Sequence, residues 1–301
     1  MAKMHAVQGP KHTRGEKIGQ VIIRIFLALL VFIMVYPLWY VVMYSISDPR
    51  LAMQGGAFLW PKGFDTYNYQ MILKTNQIWI SLRNSVLKTI VGTCISVVLS
   101  LMTAYPLSLQ RFRGRKFFQG MFFFTMLFHG GIIPTYLVVK NLGLLDSFLA
   151  LVIPGAMSAY NMFILRNALQ AVPASLEESA RMDGAGPFRI LMQIIAPIVV
   201  PSIAAVALFY GLGNWNSYLD GLIYTSSLKL QLMQIYLRNV LAATSSVNAI
   251  MSSVGEQSTG YLSQSSTEMA IVVLTVLPIM IVYPWLSRFY VSGLSVGAVK
   301  G

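Results

Sequence analysis

The sequence predicts an all-α membrane protein with six transmembrane helices and both termini in the cytosol. Three observations predict it. Apolar runs long enough to cross a bilayer follow one another with short polar gaps. Of the 301 residues, 56% are hydrophobic and 11% are charged, with a mean hydropathy of +0.64. Lys and Arg gather in alternate gaps. A soluble domain carries about 25% charged residues, so this composition belongs in lipid.

Residues 1–20 are polar and basic, with Lys3, Lys11, Arg14 and Lys17, and read as a disordered cytosolic tail. The apolar run 21–46 is too long for a signal-peptide core and has no small-residue cleavage site before Asp48, so it reads as a signal anchor and first span. About 20 residues at 1.5 Å each cross the hydrocarbon core. Residues 47–80 read as a loop with the interfacial anchors Trp60, Tyr67, Tyr69 and Trp79. The second span is 82–109, with Arg83, Asn84 and Lys88 at its start, where long cations snorkel outward. Arg111, Arg113, Arg115 and Lys116 form a basic turn, most simply a topology anchor. The third span is 117–139, loosened by Gly130-Gly131 and Pro134; the fourth is 148–169 and the fifth 198–224. A Ser/Thr-rich loop, 225–266, precedes the sixth span, 269–286, and a tail, 287–301. One six-helix domain, 21–286, is the expected organisation.

With six spans the loops alternate sides. The side bearing the termini, the basic turn and the segment 175–197 holds 14 of the 22 Lys and Arg. The positive-inside rule puts that side in the cytosol and the 225–266 loop outside. Much of the net charge of +12 is therefore topology signal and attraction to lipid, and no nucleic-acid partner is expected.

Cys94 is the single cysteine, so no intrachain disulfide forms. No G-x-x-x-x-G-K-[ST] motif is present, His5, His12 and His129 are scattered, and H-E-x-x-H does not occur. No catalytic residue, metal site or cofactor of its own is expected. The span interiors contain nearly no ionisable residue, which weighs against a secondary transporter or channel working without an ATPase, although that remains the alternative. An intramembrane enzyme lacks a paired acid–base or nucleophile signal.

The densest charge in the second half of the chain lies at 176–201. Ser175 and Glu178 have capping-box spacing, which predicts a helix from Leu176. Glu177 and Glu178 sit where the helix dipole favours them. Gly184 suits a left-handed helix end, and Gly186-Pro187 stops the first helix and starts a second over 187–196. Pro197 and Pro201 mark entry to the next apolar run. Such a knob reads either as an ordinary surface loop or as a docking element.

Glu178-Ser179-Ala180, Asp183-Gly184-Ala185, Ile194 and Pro197 resemble the EAA loop of ABC importer permeases, E-A-A-x3-G-x9-I-x-L-P, with Ser179 for the middle Ala and Ala196 for the Leu. Further stretches resemble the carbohydrate (maltose-type, binding-protein-dependent) branch. These are Arg83-Asn84-Ser85, then Ala104-Tyr105-Pro106-Leu107 with Arg111-Phe112, Gly131 to Tyr136, Leu142 to Ser147, and the tail Gly293 to Gly301. Gly213-Asn214-Trp215-Asn216-Ser217-Tyr218 leans toward the oligosaccharide and polysaccharide-uptake subgroup. The resemblance implies a type I importer permease fold, a heterodimer with a second permease subunit, two ATPase subunits that carry ATP and Mg, and an extracytoplasmic sugar-binding protein. It implies ATPase coupling through Glu177, Glu178, Ser179, Ala180, Asp183, Gly184 and Ala185, and an ATPase-contacting tail at Ser295, Gly297, Lys300 and Gly301. The 225–266 loop would probe the binding protein.

For the saccharide path, Asn214, Trp215, Asn216 and Tyr218 combine aromatic faces with amides, which suit sugar rings. The competing reading is an interfacial aromatic belt. Arg83 and Lys88 either attract an acidic sugar or snorkel and pair across a subunit interface.

Overall fold

In the computed structural model the backbone is described for residues 14–52, 55, 59–254 and 259–298, and within these the side chains of all but 14, 16, 17, 244–264 and 285–298. Helices dominate, and among the described residues the only β pairing is an isolated bridge between Ser47 and Phe64. In chain order they are α1 (Arg14–Ser45), α2 (Pro49–Ala52), α3 (Tyr67–Lys74), α4 (Asn76–Ser108), α5 (Arg115–Leu127) and α6 (Ile132–Asn141). Then follow α7 (Phe148–Val152), α8 (Ala159–Gln170), α9 (Ala174–Met182), α10 (Pro187–Arg189), a π-helical segment (Ile190–Ile195) and α11 (Ala196–Ile198). The chain ends with α12 (Val200–Trp215), α13 (Leu219–Tyr224), a 3₁₀ turn (Leu228–Leu230), α14 (Met233–Val254) and α15 (Thr259–Ala298).

Among the described residues three helical stretches are long and apolar enough to cross a membrane: Ile18–Ser45, Asn76–Ser108 and Ser265–Pro284. Two more arise if bent pairs count as one, α5 with α6 at 113° and Pro187–Ile198 with α12 at 89°. The expected third span is thus broken, not merely loosened. Gly131 takes φ 89°, a backbone only glycine adopts without strain, and Pro134 follows in the first turn of α6. The expected fourth span is also two helices. Pro154-Gly155 ends the first, and the Ser158 hydroxyl caps the second by accepting from the Asn161 N–H at 3.4 Å. The 225–266 stretch is largely helical instead of a loop, because 233–243 reads MQIYLRNVLAA, free of Gly and Pro. Residues 255–258 lie outside the description.

The fold divides into two compact units, where the sequence reads as one domain. The first comprises residues 1–68 and 258–273. Here the rings of Phe32, Tyr36, Tyr40 and Tyr44 follow one another at i,i+4 spacing along α1, the first pair stacked and the next two tilted. Met43, Tyr44 and Ala52 form a small core, and Trp39 donates its indole N–H to the Leu59 carbonyl at 3.0 Å.

The second unit, residues 69–257 and 274–301, holds the main core. Its centre is apolar: Leu101, Ala104, Tyr105 and Leu107 of α4, Met162, Leu165 and Leu169 of α8, Ala180 of α9, Ile190, Leu191 and Ile195 of the π segment, and Val206 and Tyr210 of α12. Tyr210 ties three helices together. Its hydroxyl is 2.6 Å from Ser100 Oγ and accepts from the Ser158 N–H at 2.9 Å.

Outward of this core, α4 holds the 229–233 segment through side chains. Asn84 Nδ2 donates to the carbonyls of Lys229 at 2.8 Å and Gln231 at 3.1 Å, and Ser85 Oγ accepts from the Met233 N–H at 2.8 Å. The short turn before α7 is fixed similarly. Asp146 accepts from the backbone N–H groups of Ser226 and Ser227, at 2.7 and 3.0 Å, and from the Ser226 hydroxyl at 2.5 Å. These hydrogen bonds, led by the Ser226 hydroxyl, hold the Asp146 carboxyl below its ordinary pKa.

Candidate coupling site

The knob is built as the sequence pattern asks, with its start shifted. The first helix begins at Ala174 with Pro173 as N-cap and no side-chain cap, so Ser175 lies inside α9 and the expected capping box does not form. Proline already fixes the backbone turn into the helix, which leaves the cap dispensable. The other end follows expectation. Gly184 has φ 80°, its N–H reaches the Arg181 carbonyl at 2.9 Å, and the Ala185 N–H reaches the Ala180 carbonyl at 3.0 Å. That pair of bonds is a Schellman ending. Pro187 then opens the second helix at its first turn. The second helix runs on to Ile198 through the π segment, further than the expected 196. Pro197 has no N–H to return to the carbonyl four residues back, and a looser i→i+5 ladder precedes it.

The seven expected coupling residues separate into two groups. Glu177 and Ala180 are buried and Ala185 half-buried, all turned toward the bundle. Glu178, Ser179, Asp183 and Gly184 are exposed. Around the exposed group stand Met182, which is 89% exposed, and Phe188, 64% exposed. Sequence reading did not single out these two side chains. For Met182 the signal is its position off the i,i+3 line of Glu177 and Ala180, which faces the core; Phe188 lies beyond the break, on α10, where that line gives none.

Glu177 is the hub of the inner group. Its Oε1 accepts from the Tyr105 hydroxyl at 3.1 Å, pairs with Arg181 at 3.1 Å, one turn along α9, and also accepts from Arg111. Arg111, expected only as a topology anchor, ties the basic turn to the knob. A cavity of about 510 Å³ opens beside this hub, lined among others by Gln110, Arg111, Gln170, Glu177 and Glu178.

The four residues expected on the saccharide path are not brought together. Asn214 packs its amide against Gly92, with Thr93 Oγ1 at 3.4 Å. Trp215 is buried, its indole N–H reaching the Thr275 carbonyl at 3.3 Å, and its ring lines an apolar crevice of about 280 Å³ with Ile90, Leu208 and Pro278. Asn216 is exposed at the end of α12. Tyr218 lines an open cavity of about 460 Å³ with Gln234, Leu237, Arg238, Leu241 and Ala242, and the Arg238 guanidinium stands 5.6 Å from its ring centroid. Of the tail residues, Ser295 and Gly297 fall on the α15 backbone without described side chains, and Lys300 and Gly301 lie outside the described residues.

Lys88 does not snorkel. It is fully buried, with Nζ 2.8 Å from Asp220 Oδ2 and 2.5 Å from Ser217 Oγ, while the Ser217 hydroxyl donates to Asp220 at 2.6 Å. The helix starts six residues before the expected 82, which puts Lys88 about 18 Å along its axis. The expectation of nearly charge-free span interiors therefore fails here. The lysine is closed off inside the chain and joins α4 to α13 through Asp220, which is half-buried.

Residues 10–296 match the family described as binding-protein-dependent transport system inner membrane component. The chain belongs to that family. This permease is 37% identical over 276 residues to the polygalacturonan/rhamnogalacturonan transport system permease protein YtcP of Bacillus subtilis, across 92% of this chain and 96% of that one. It is 33% identical over 306 residues to Protein LplC of the same organism, across 100% of both. It superposes with a TM-score of 0.84 and 29% identity on a chain of a bacterial ABC transporter involved in the import of the acidic polysaccharide alginate, covering 94% of this chain and 100% of that chain. It is a non-catalytic inner-membrane component with the type I importer permease fold, and ATP hydrolysis belongs to a separate subunit.

Proposed function

We propose that this permease forms one half of the translocation path of an ATP-driven importer of oligosaccharides, acidic ones included. The other half is a second permease subunit. Of two ATPase subunits one docks on the knob, and an extracytoplasmic sugar-binding protein delivers the sugar. Relatives named for polygalacturonan, rhamnogalacturonan and alginate transport support the substrate class.

The observation that carries the reading is the split of the knob. Glu178, Asp183 and Met182 stand outward, while Glu177 and Ala180 hold α9 to the bundle. In this reading the outward acids and the methionine enter a cleft of the ATPase, and Gly184 allows close approach. Six crossings result if α1, α4, α5 with α6, α7 with α8, α12 with α13, and α15 each count as one. The Lys and Arg bias then favours cytosolic termini and a cytosolic knob. The ATPase-contacting tail from Ser295 and the saccharide path near Asn216 and Tyr218 belong to the same proposal.

Uptake of oligogalacturonate into proteoliposomes tests it. The complex with its partner permease, ATPases and binding protein accumulates sugar only with ATP. Accumulation by this chain alone, driven by an ion gradient, would overturn the reading.

A further inference from the structure

We infer that Glu177 is a positioning residue for energy coupling. It fastens the knob to the end of α4 and does not touch the ATPase, so a displacement of the knob reaches α4 as a push on a stiff joint. This rests on the function proposed above.

Three features carry it. One carboxylate oxygen of Glu177 takes the Tyr105 hydroxyl, Arg111 and Arg181 together, and its side chain is 12% exposed, leaving little surface for a partner cation. Glu178, its neighbour, is exposed and free to meet one. Second, Tyr105 lies on the last turn of α4, and Ala104, Tyr105 and Leu107 pack in the same apolar cluster as Ala180, Ile190, Leu191 and Ile195. The joint is thus ionic and apolar at once, and close-packed interiors transmit strain instead of absorbing it. Third, α4 is fastened again nearer its start. Lys88 holds Ser217 and Asp220, and Asn84 and Ser85 hold residues 229–233. A single 33-residue helix therefore links the knob to the segment that carries Tyr218. Coupling between distant sites needs such a contiguous physical connection.

The test uses the full reconstituted complex, reading oligogalacturonate imported per ATP hydrolysed and the ATPase retained on copurification. Glu177→Gln and Arg111→Gln each keep the ATPases and lower the ratio about tenfold, within the range of site-to-site coupling. The double variant falls no further, because one joint is lost only once. Loss of the ATPases from the Glu177→Gln complex would make Glu177 a docking contact and overturn the inference. An unchanged ratio would overturn it too, as would a double loss equal to the product of the single ones. If Glu177→Gln fails to assemble, Tyr105→Phe decides, because it removes only a hydroxyl: a ratio lowered about twofold or more supports the joint, and an unchanged ratio rejects it. The wild-type complex separates this from the broader proposal, which fails if that complex shows no ATP-dependent uptake.

Discussion

At the scale of the residue, Glu177 and Glu178 show how adjacent identical side chains acquire opposite tasks. A helix turns about 100° per residue, so one carboxylate meets Tyr105 and Arg111 while the next faces solvent. Gly184 is a second residue with one decisive property. Its φ of 80° requires glycine for comfort, and no neighbouring atom lies within 4 Å of where a Cβ would stand. A side chain there therefore costs backbone strain of about 1–2 kcal/mol but no local clash. Gly184→Asp is expected to reach the membrane at the wild-type level. Its uptake should fall about tenfold or more through loss of the close approach and added charge beside Asp183, a drop within the range of site-to-site coupling. Radiolabelled sugar uptake beside an immunoblot of membranes checks this. Wild-type uptake in the variant would remove Gly184 from the docking surface.

At the scale of the element, α4 is organised by what it buries. Ser81, Asn84, Ser85, Lys88, Gly92, Ser96 and Ser100 form its inward stripe, with Leu87, Ile90, Val98 and Met102 turned outward. Close packing of small residues and hydrogen bonds between helices replace the hydrophobic drive that lipid does not supply. Within that stripe the Lys88–Asp220 pair is mutually dependent. Asp220→Leu leaves the fully buried Lys88 with the Ser217 hydroxyl and no carboxylate, and breaking a buried pair costs about 3–5 kcal/mol. Lys88→Met with Asp220→Leu should restore most of that, since a well-packed apolar replacement is often neutral. Thermal unfolding in detergent checks it. A double variant as unstable as the single one would show that the charges matter beyond each other.

This pair also shows where sequence reading stops. The positions of α1, α4 and α15 were legible because long apolar runs have one stable solution in lipid, the helix. The Schellman ending at Gly184 and the opening at Pro187 were legible because both are local backbone chemistry. The partner of Lys88 was not, because Asp220 lies 132 positions away and no local pattern encodes a tertiary pairing. Arg111 read only as charge bias, with no local sign of its tie to Glu177. The loosening at Gly131 was visible as residues, and the break at Pro154-Gly155 went unread. The size of the bend at Gly131 was not visible either, since a glycine permits a bend whose angle the packing decides. Trp215 misled for a related reason: an aromatic suited to sugar is equally suited to an apolar crevice.

At the scale of the whole molecule, the chain has the parts of a passive conduit. It has apolar helices, an internal ionic joint and an exposed acidic knob. Its membership in a binding-protein-dependent transport family assigns the energy source to other subunits. The central claim is then one of sidedness: the knob faces the cytosol, where an ATPase can push it. A cysteine at Ser179, exposed on α9, reports this directly once Cys94 is changed to Ser. The measurement is labelling of Ser179→Cys by a membrane-impermeant maleimide. The account predicts no labelling of intact cells and full labelling of inside-out vesicles stripped of their ATPase subunits; labelling of intact cells would put the knob on the outer face and contradict it.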